Sequence, residues 1–305
     1  MSLYHALKAF SQKDRVRFHI PGHKGGRGLA AAWARDAFSL DVTEFDETDD
    51  LQPPSGILKE AQENAARRPF MYKRILLKIS GEALSGQEAP IGFDKVNAAA
   101  AEIASLAQKG LELGIVVGGG NIIRGRDAGS RDRNRMDHMG MLATAINALA
   151  LQDSLERQGV PCRVLSSVDM DKFCDSYTSR RALELLAAGT VVIFACGTGC
   201  PFFSTDTAAA LKACEIGADA LFLAKNVDAV YSADPKVDKN ARPYRHISYQ
   251  KVIEDNLHAT DLTAITLCRE QHMPIKCFAL EKLHEALESE NIGTLIDEDG
   301  AEACI

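Results

Sequence analysis

Three consecutive glycines, Gly118 to Gly120, follow the apolar run Ile115-Val116-Val117 and are followed in turn by Arg124. Glycines after a strand let the backbone come close to an anion and aim N–H groups at it. Arg124 could add a planar fork that is always charged. The pattern is neither G-x-G-x-x-G nor G-x-x-x-x-G-K-[ST], so neither a dinucleotide-binding turn nor a P-loop is predicted. The alternative is an ordinary tight turn. Lys78 poses a similar choice. It lies near the end of the apolar run 74–79, just before Ser80 and Gly81. An ammonium in a buried strand is costly without a partner. Lys78 could therefore hold phosphate oxygens, or it could snorkel from the strand end.

Four further segments combine polar groups with turn formers. Asp137-His138-Met139-Gly140 opens a helical pattern, where an aspartate could cap the helix or accept sugar hydroxyls. The stretch 197–206, GTGCPFFSTD, contains Thr198, Gly199, Cys200, Pro201, Phe202, Phe203, Ser204, Thr205 and Asp206. Ser204 or Thr205 could cap the following helix, whose N-terminus suits an anion. Phe202 and Phe203 could wall a base pocket or belong to the core. In 227–235, Tyr231 could face an adenine ring, and Asp234-Pro235 marks a turn. Asp261, after Thr260, could cap a helix or pair with a cation.

The elements that must position these groups alternate. Residues 74–80 read as a buried strand, and 94–111 as a helix with Val96, Ala100, Ile103, Leu106, Ala107 and Leu111 on one face. Strands at 115–117, 163–165, 191–195 and 220–223 follow, with helices at 137–159 and 205–217 between them. This order predicts an α/β fold, a three-layer αβα sandwich on a mostly parallel sheet. In such sheets ligands sit at the carboxyl ends of strands, and every polar segment named above falls at such an end.

Composition sets broader bounds. The 305 residues are 46% hydrophobic and 25% charged, with a formal net charge of -7. That acidity argues against a general nucleic-acid binder. The eight cysteines include no CxxC pair and no zinc set, which predicts reduced thiols and a cytoplasmic protein. No apolar run is long enough for a membrane helix, and no signal peptide is evident. The character of the chain changes near residue 70. The first part holds the single Trp, Trp33, many turn formers and an acidic run from Asp41 to Asp50. Its charges balance, so the net negative charge lies in the second part.

The motifs YKRILLKISGEAL (72–84), VVGGGNIIRG (116–125), DHMGMLAT (137–144), CDSY (174–177), GTGCPFFSTD (197–206) and VDAVYSADP (227–235) occur in this order. Together they resemble the bacterial uridylate kinases of the amino-acid kinase fold, over residues 71–305. DHMGM and GTGxPFF point to the uridylate branch rather than to the carbamate, glutamate or aspartate kinases. The resemblance implies transfer of the γ-phosphoryl of ATP to UMP. It assigns Lys78, Ser80, Gly81, Gly120, Arg124, Asn226, Tyr231 and Asp234 to ATP, with Lys225 an alternative to Asn226. UMP falls to Gly119, Asp137 and Thr198–Thr205. Lys78, Arg124, Asp206 and Asp261 would serve catalysis, with Mg2+ carried mainly by the nucleotide phosphates and not by a protein ligand set. It also implies a homohexamer with GTP and UTP as effectors.

Cys200 stands where that family usually has Asn, Ser204 where Thr is common, and Ala229 where Gly is usual. Ala229 matters if the backbone there needs a positive φ. These departures motivate a second reading, a nucleotide- or oxoanion-binding protein of the same fold without turnover. Residues 1–66 resemble another family. FHIPGHKGG (18–26), DVTE (41–44), DDL (49–51) and GILKEAQ (56–62) are similar to the start of the Orn/Lys/Arg decarboxylases, which use pyridoxal phosphate. The likeness stops near Ala66, before that family's cofactor-binding domain and Schiff-base lysine. Residues 1–70 are therefore expected to be a non-functional fusion remnant or mis-set start, with Met71 as initiator.

Overall fold

The computed structural model describes residues 70–123, 131–235, 237–257 and 260–300, and the backbone of 303–304. The 1–70 segment, apart from Phe70, and Arg124 lie outside the described residues. One compact unit spans Pro69–Ile305. Its eleven described strands form one sheet. They are β1 (Arg74–Ile79), β2 (Glu112–Val117), β3 (Cys162–Ser166), β4 (Asp175–Ser176), β5 (Val191–Ala195), β6 (Ala220–Lys225), β7 (Val230–Tyr231), β8 (Pro243–Ser248), β9 (Ile275–Ala279), β10 (Thr294–Asp297) and β11 (Ala303–Cys304). The α-helices are α1 (Phe93–Gln108), α2 (Arg133–Arg157), α3 (Ser179–Ala187), α4 (Thr205–Glu215), α5 (Tyr249–Glu254), α6 (Leu262–Glu270) and α7 (Leu283–Glu288).

The strand order is β11-β8-β10-β9-β6-β1-β2-β5-β3-β4, with β7 beside β8. The run from β9 through β6, β1, β2, β5 and β3 to β4 is parallel throughout. Antiparallel pairs occur only at the β7–β11 end among the described residues. This is the expected α/β sandwich. β1, β2, β5 and β6 are buried on both faces, as near-continuous apolar runs require in a parallel sheet.

Strand alternation divides the core in two. Ile75, Leu77 and Ile79 of β1 and Phe222 of β6 pack with α1, α2 and α7 on one side of the sheet. Leu76 of β1 and Leu221 and Leu223 of β6 pack with α3, α4, α5 and α6 on the other. The same period puts Lys78 on the side of Leu76, and Lys225 on the side of Leu221 and Leu223. Both lysines therefore face the layer that contains α4.

Helix ends follow their capping chemistry. Ser204 caps α4 through hydrogen bonds from the Asp206 and Thr207 amides at 3.0 and 3.1 Å. Asp132, not Asp137, caps α2 by accepting from the Arg135 amide at 3.0 Å, so α2 starts one turn earlier than its apolar pattern suggests. Ala229 is not among the non-glycine residues at positive φ, which removes the concern about a missing glycine there.

Phe222 is fully buried and packs edge-on against Tyr72 and Phe278, with ring centroids 5.2 and 5.6 Å away. Phe222→Ala should lower unfolding stability by about 3–5 kcal/mol, through lost burial and the cavity left behind. Denaturant unfolding checks this, and a loss below about 1 kcal/mol would contradict it.

Candidate active site

The carboxyl ends of β6, β1, β2 and β5 lie side by side in the sheet, and the predicted polar segments meet there. At the centre is Asp206, in the first turn of α4. Lys78 Nζ lies 2.7 Å from its Oδ1, and Lys225 Nζ donates to its Oδ2 at 2.7 Å. Thr260 Oγ1 also donates to Oδ2, at 2.8 Å. The side chains of Lys78, Asp206 and Lys225 are only 9%, 14% and 21% exposed. Burial alone would raise the carboxyl pKa, but Lys78 and Lys225 outweigh it and hold Asp206 well below the usual carboxylate range. Two ammonium groups share one carboxylate, so the cluster carries one net positive charge. That surplus in a poorly solvated place suits a phosphate. Oδ1 has Lys78 at ion-pair distance but no aligned hydrogen-bond donor among the described residues.

Two glycine turns pack against each other beside this cluster. Gly118 N–H donates to Ile79 O at 2.9 Å. A Cβ on Gly118 would come within 2.9 Å of Gly81 N, and one on Gly81 would come within 2.7 Å of Gly118 O. Neither residue can carry a side chain without separating β1 from β2. Gly119 is as constrained on its other side, where a Cβ would meet Gly140 O at 2.7 Å and Ala143 Cβ at 2.9 Å. Ser80 Oγ accepts from the Ala83 amide at 3.3 Å and stabilises the short turn that follows β1.

The 196–204 loop forms the opposite wall. Cys196 and Phe202 adopt left-handed backbone, φ 63° and 73°, as do Gly197 and Gly199. Strain at non-glycine residues persists only where the surroundings enforce it. Cys196 N–H donates to Thr144 Oγ1 of α2 at 2.8 Å, and Phe202 N–H to Asp137 Oδ2 of α2 at 2.9 Å. Arg133 Nε donates to Asp137 Oδ1, also at 2.9 Å. Phe202 and Phe203 are 66% and 52% exposed, so neither belongs to the core. Thr198 Oγ1 and the backbone of Cys200 bond each other at 3.2 Å.

The remaining predicted residues divide. Asp261 caps α6 through the Ala264 amide at 2.8 Å and accepts from Ser204 Oγ and from Thr207 Oγ1, the latter at 2.9 Å. The cap reading holds, and its carboxylate ties α4 to α6. Lys225, not Asn226, enters the Asp206 cluster; Asn226 is exposed in the turn after β6. Strand parity explains the choice, because 221, 223 and 225 share one face. Tyr231 lies on β7 with its hydroxyl donating to Asp228 at 2.8 Å. Asp234 shapes the next turn, its carbonyl accepting from the Val237 and Asp238 amides. Gly120 ends the glycine turn, and Pro201 and Thr205 lie in the loop and at the start of α4. Thr260, Thr144 and Asn147 also enter the site; the first two lie in segments named from the sequence but carried no predicted role, and Asn147 lies outside them. An apolar cleft of about 670 Å³ between α4 and α6, lined by Leu211, Leu262 and Leu267, adjoins the loop and shares Thr198, Cys200 and Phe203 with it.

A mostly parallel αβα sandwich with glycine turns and a lysine–aspartate cluster at its strand ends is the architecture of a phosphotransferase, and residues 73–279 match the amino acid kinase family. The chain belongs to that family. Within it, the chain is 47% identical to the uridylate kinase of Methylococcus capsulatus over 232 residues, 74% of this chain and 97% of that one. The UMP kinase structure from Bacillus anthracis superposes with a TM-score of 0.74 at 36% identity, covering 77% of this chain and 99% of that one. The Ureaplasma parvum UMP kinase gives a TM-score of 0.70 at 36% identity, covering 74% and 99%. The uridylate kinase of Archaeoglobus fulgidus gives 0.57 at 29% identity, covering 73% and 99%. Residues 1–83 also match the major domain of the Orn/Lys/Arg decarboxylases. That match runs past Ala66, where the likeness of motifs ends, and overlaps the kinase match through β1.

Asp206→Asn would leave two buried ammonium groups without their counter-charge, a loss of about 3–5 kcal/mol for a buried pair. The depressed Asp206 pKa gives the sign. Its stabilisation is present above the unfolded value of about 4 and is lost as pH falls below it. The stability gap between the unaltered protein and Asp206→Asn should therefore be full at pH 7 and shrink progressively below about pH 4. Urea unfolding across that range checks this; a gap that widens on acidification would contradict it.

Proposed function

We propose that this protein transfers the γ-phosphoryl group of ATP to UMP, giving ADP and UDP. The observation that carries the reading is the pairing of two half-sites at adjacent strand ends. One is the Lys78–Asp206–Lys225 cluster beside the glycine turns. The other is the 196–204 loop, held to α2 by Asp137 and Thr144. The uridylate kinase relatives, together with DHMGM and GTGCPFF, support UMP as the acceptor. Having both halves intact favours turnover over binding alone.

The chemistry asks little covalent help of the protein. An acceptor phosphate oxygen is already a nucleophile, so no general base is required. It forms a bond to the γ-phosphorus as the bond to the β–γ bridging oxygen breaks, and ADP leaves with that electron pair. Positioning and charge neutralisation carry the rate. Lys78 and Lys225, with one unneutralised charge between them, face the charge that spreads over the transferring group. The glycine-turn amides and the N-terminus of α4 add donors to phosphate oxygens. Arg124 is proposed to contribute a further cation, and Tyr231, Asp234 and Asn226 to line the nucleoside end of ATP.

Mg2+ is proposed to arrive with ATP. Among the described residues no group of three or more His, Cys, Asp or Glu could hold a metal. Asp206 Oδ1, buried beside Lys78 and without an aligned hydrogen-bond donor among the described residues, is nevertheless the type of oxygen a hard cation takes alongside phosphates and water. Bound there, Mg2+ would neutralise phosphate charge, while Lys78 and Lys225 keep Asp206 ionised and oriented.

The same reading covers the setting. Met139, Leu142 and Ile146 of α2 are 45%, 55% and 49% exposed and recur at helical spacing. This stripe supports self-association, proposed here as a homohexamer with GTP and UTP as effectors. No helix among the described residues is long and apolar enough to cross a membrane, and the seven described cysteines are free; a cytoplasmic role in pyrimidine biosynthesis is proposed. Residues 71–305 are proposed to carry the activity and 1–70 to be a decarboxylase-like fusion fragment without function.

A coupled assay on the full chain tests the reading. ADP formation should require both UMP and Mg2+, and Lys78→Ala should lower kcat by about 100-fold or more. Equal turnover with carbamate or glutamate in place of UMP would contradict it.

A further inference from the structure

One face of α2 touches both the glycine turn and the 196–204 loop. Asp137, Gly140, Thr144 and Asn147 follow one another at spacings of three, four and three, which places them in a single stripe along the helix. Asp137 holds Phe202, Gly140 and Thr144 abut Gly119, and Thr144 holds Cys196. Asn147 completes the series and is the most buried, with no exposed surface.

Its amide is fully committed. Asn147 Nδ2 donates to Gly118 O at 2.7 Å and to Asn121 Oδ1 at 2.8 Å. Asn147 Oδ1 accepts from Asn121 Nδ2 at 3.0 Å, and Asn121 Nδ2 also donates to Pro90 O at 2.8 Å. All four amide N–H bonds of the pair are thereby used. The pair is wedged against the turn that follows β1, because a Cβ on Gly81 would collide with Asn121 Oδ1. The amide pair thus sets how far the Ser80–Gly81 turn stands from the Gly118–Gly120 turn. Donor and acceptor phosphates would sit at these turns.

We propose that Asn147 is a positioning residue for phosphoryl transfer, acting through the Gly118 carbonyl and Asn121 to fix the spacing of the two phosphate turns; this rests on the UMP kinase reading above. It touches neither substrate, so its loss should fall on kcat while both substrates still bind. A buried amide pair used only for stability would behave differently. Replacing Asn147 would then lower the melting temperature and leave the turnover of folded protein intact.

The test is steady-state kinetics of the full chain, with concentrations corrected for the folded fraction by circular dichroism. Asn147→Leu removes the amide at similar volume, and Asn147→Asp places a carboxylate against the Gly118 carbonyl. Both should lower kcat by about 30- to 100-fold, with KM for ATP and UMP changing by less than about threefold. Asn147→Asp should be the worse of the two. If neither folds, Asn121→Ala, at a partly exposed position, should lower kcat by about tenfold with the same KM pattern. A kcat within twofold of the unaltered protein in the folded variants would overturn the proposal. The unaltered chain is the control: if it fails to phosphorylate UMP, the functional reading fails, whereas normal turnover in the variants removes only the role given to Asn147.

Discussion

The site depends on one carboxylate between two ammonium groups. Removing three charged groups from water costs several kcal/mol each, and their attraction repays this only with close geometry. Asp206 meets that condition with 2.7 Å contacts to Lys78 and Lys225 from two neighbouring strands. Everything around it follows from holding those contacts. The β1–β6 register places Lys78 opposite Leu223, so Lys225 stands one pleat further along on the same face. The Ser204 cap starts α4 where Asp206 must sit, and Asp261 anchors both Ser204 and Thr207. Such a cluster is a poor source of stability compared with apolar packing. Its persistence in a largely apolar sheet fits a functional demand, an excess positive charge presented to phosphate.

α2 supplies the complementary constraint. Its buried face is polar where it meets the loops, at Asp137, Thr144 and Asn147, and apolar beyond, at Ala148, Leu151 and Leu155. Its outer face carries Met139, Leu142 and Ile146. One helix therefore joins the glycine turn, the strained 196–204 loop and an exposed apolar stripe.

Much of this was legible in the residues alone. The first strands and the helices between them follow apolar periodicity, and Lys78, Gly118–Gly120 and the 197–206 segment lie at strand ends as the layered fold requires. Other features were hidden for physical reasons. A cap was one reading of Asp137 because α2 begins with the polar run Arg133 to Arg135, which carries no apolar stripe. Lys225 could not be separated from Asn226 until strand parity fixed which one faces α4. Thr144 and Asn147 sit among alanines and leucines in a helical pattern, and nothing in their spacing distinguishes a buried amide from an exposed one. β4, β7 and β11 are two residues each, too short to carry a periodic signal, and β8 mixes polar with apolar residues where the pairing directions are mixed.

Lys225, oriented by Asp206, is proposed to neutralise charge that develops only during transfer. The most direct measurement is the kinetics of Lys225→Met in the full chain, with UMP and MgATP both varied. The account predicts a fall in kcat of about 100-fold or more, with KM for UMP within about threefold of the unaltered protein. An unchanged kcat accompanied by a raised KM for ATP would contradict it, because Lys225 would then serve binding and not the transition state.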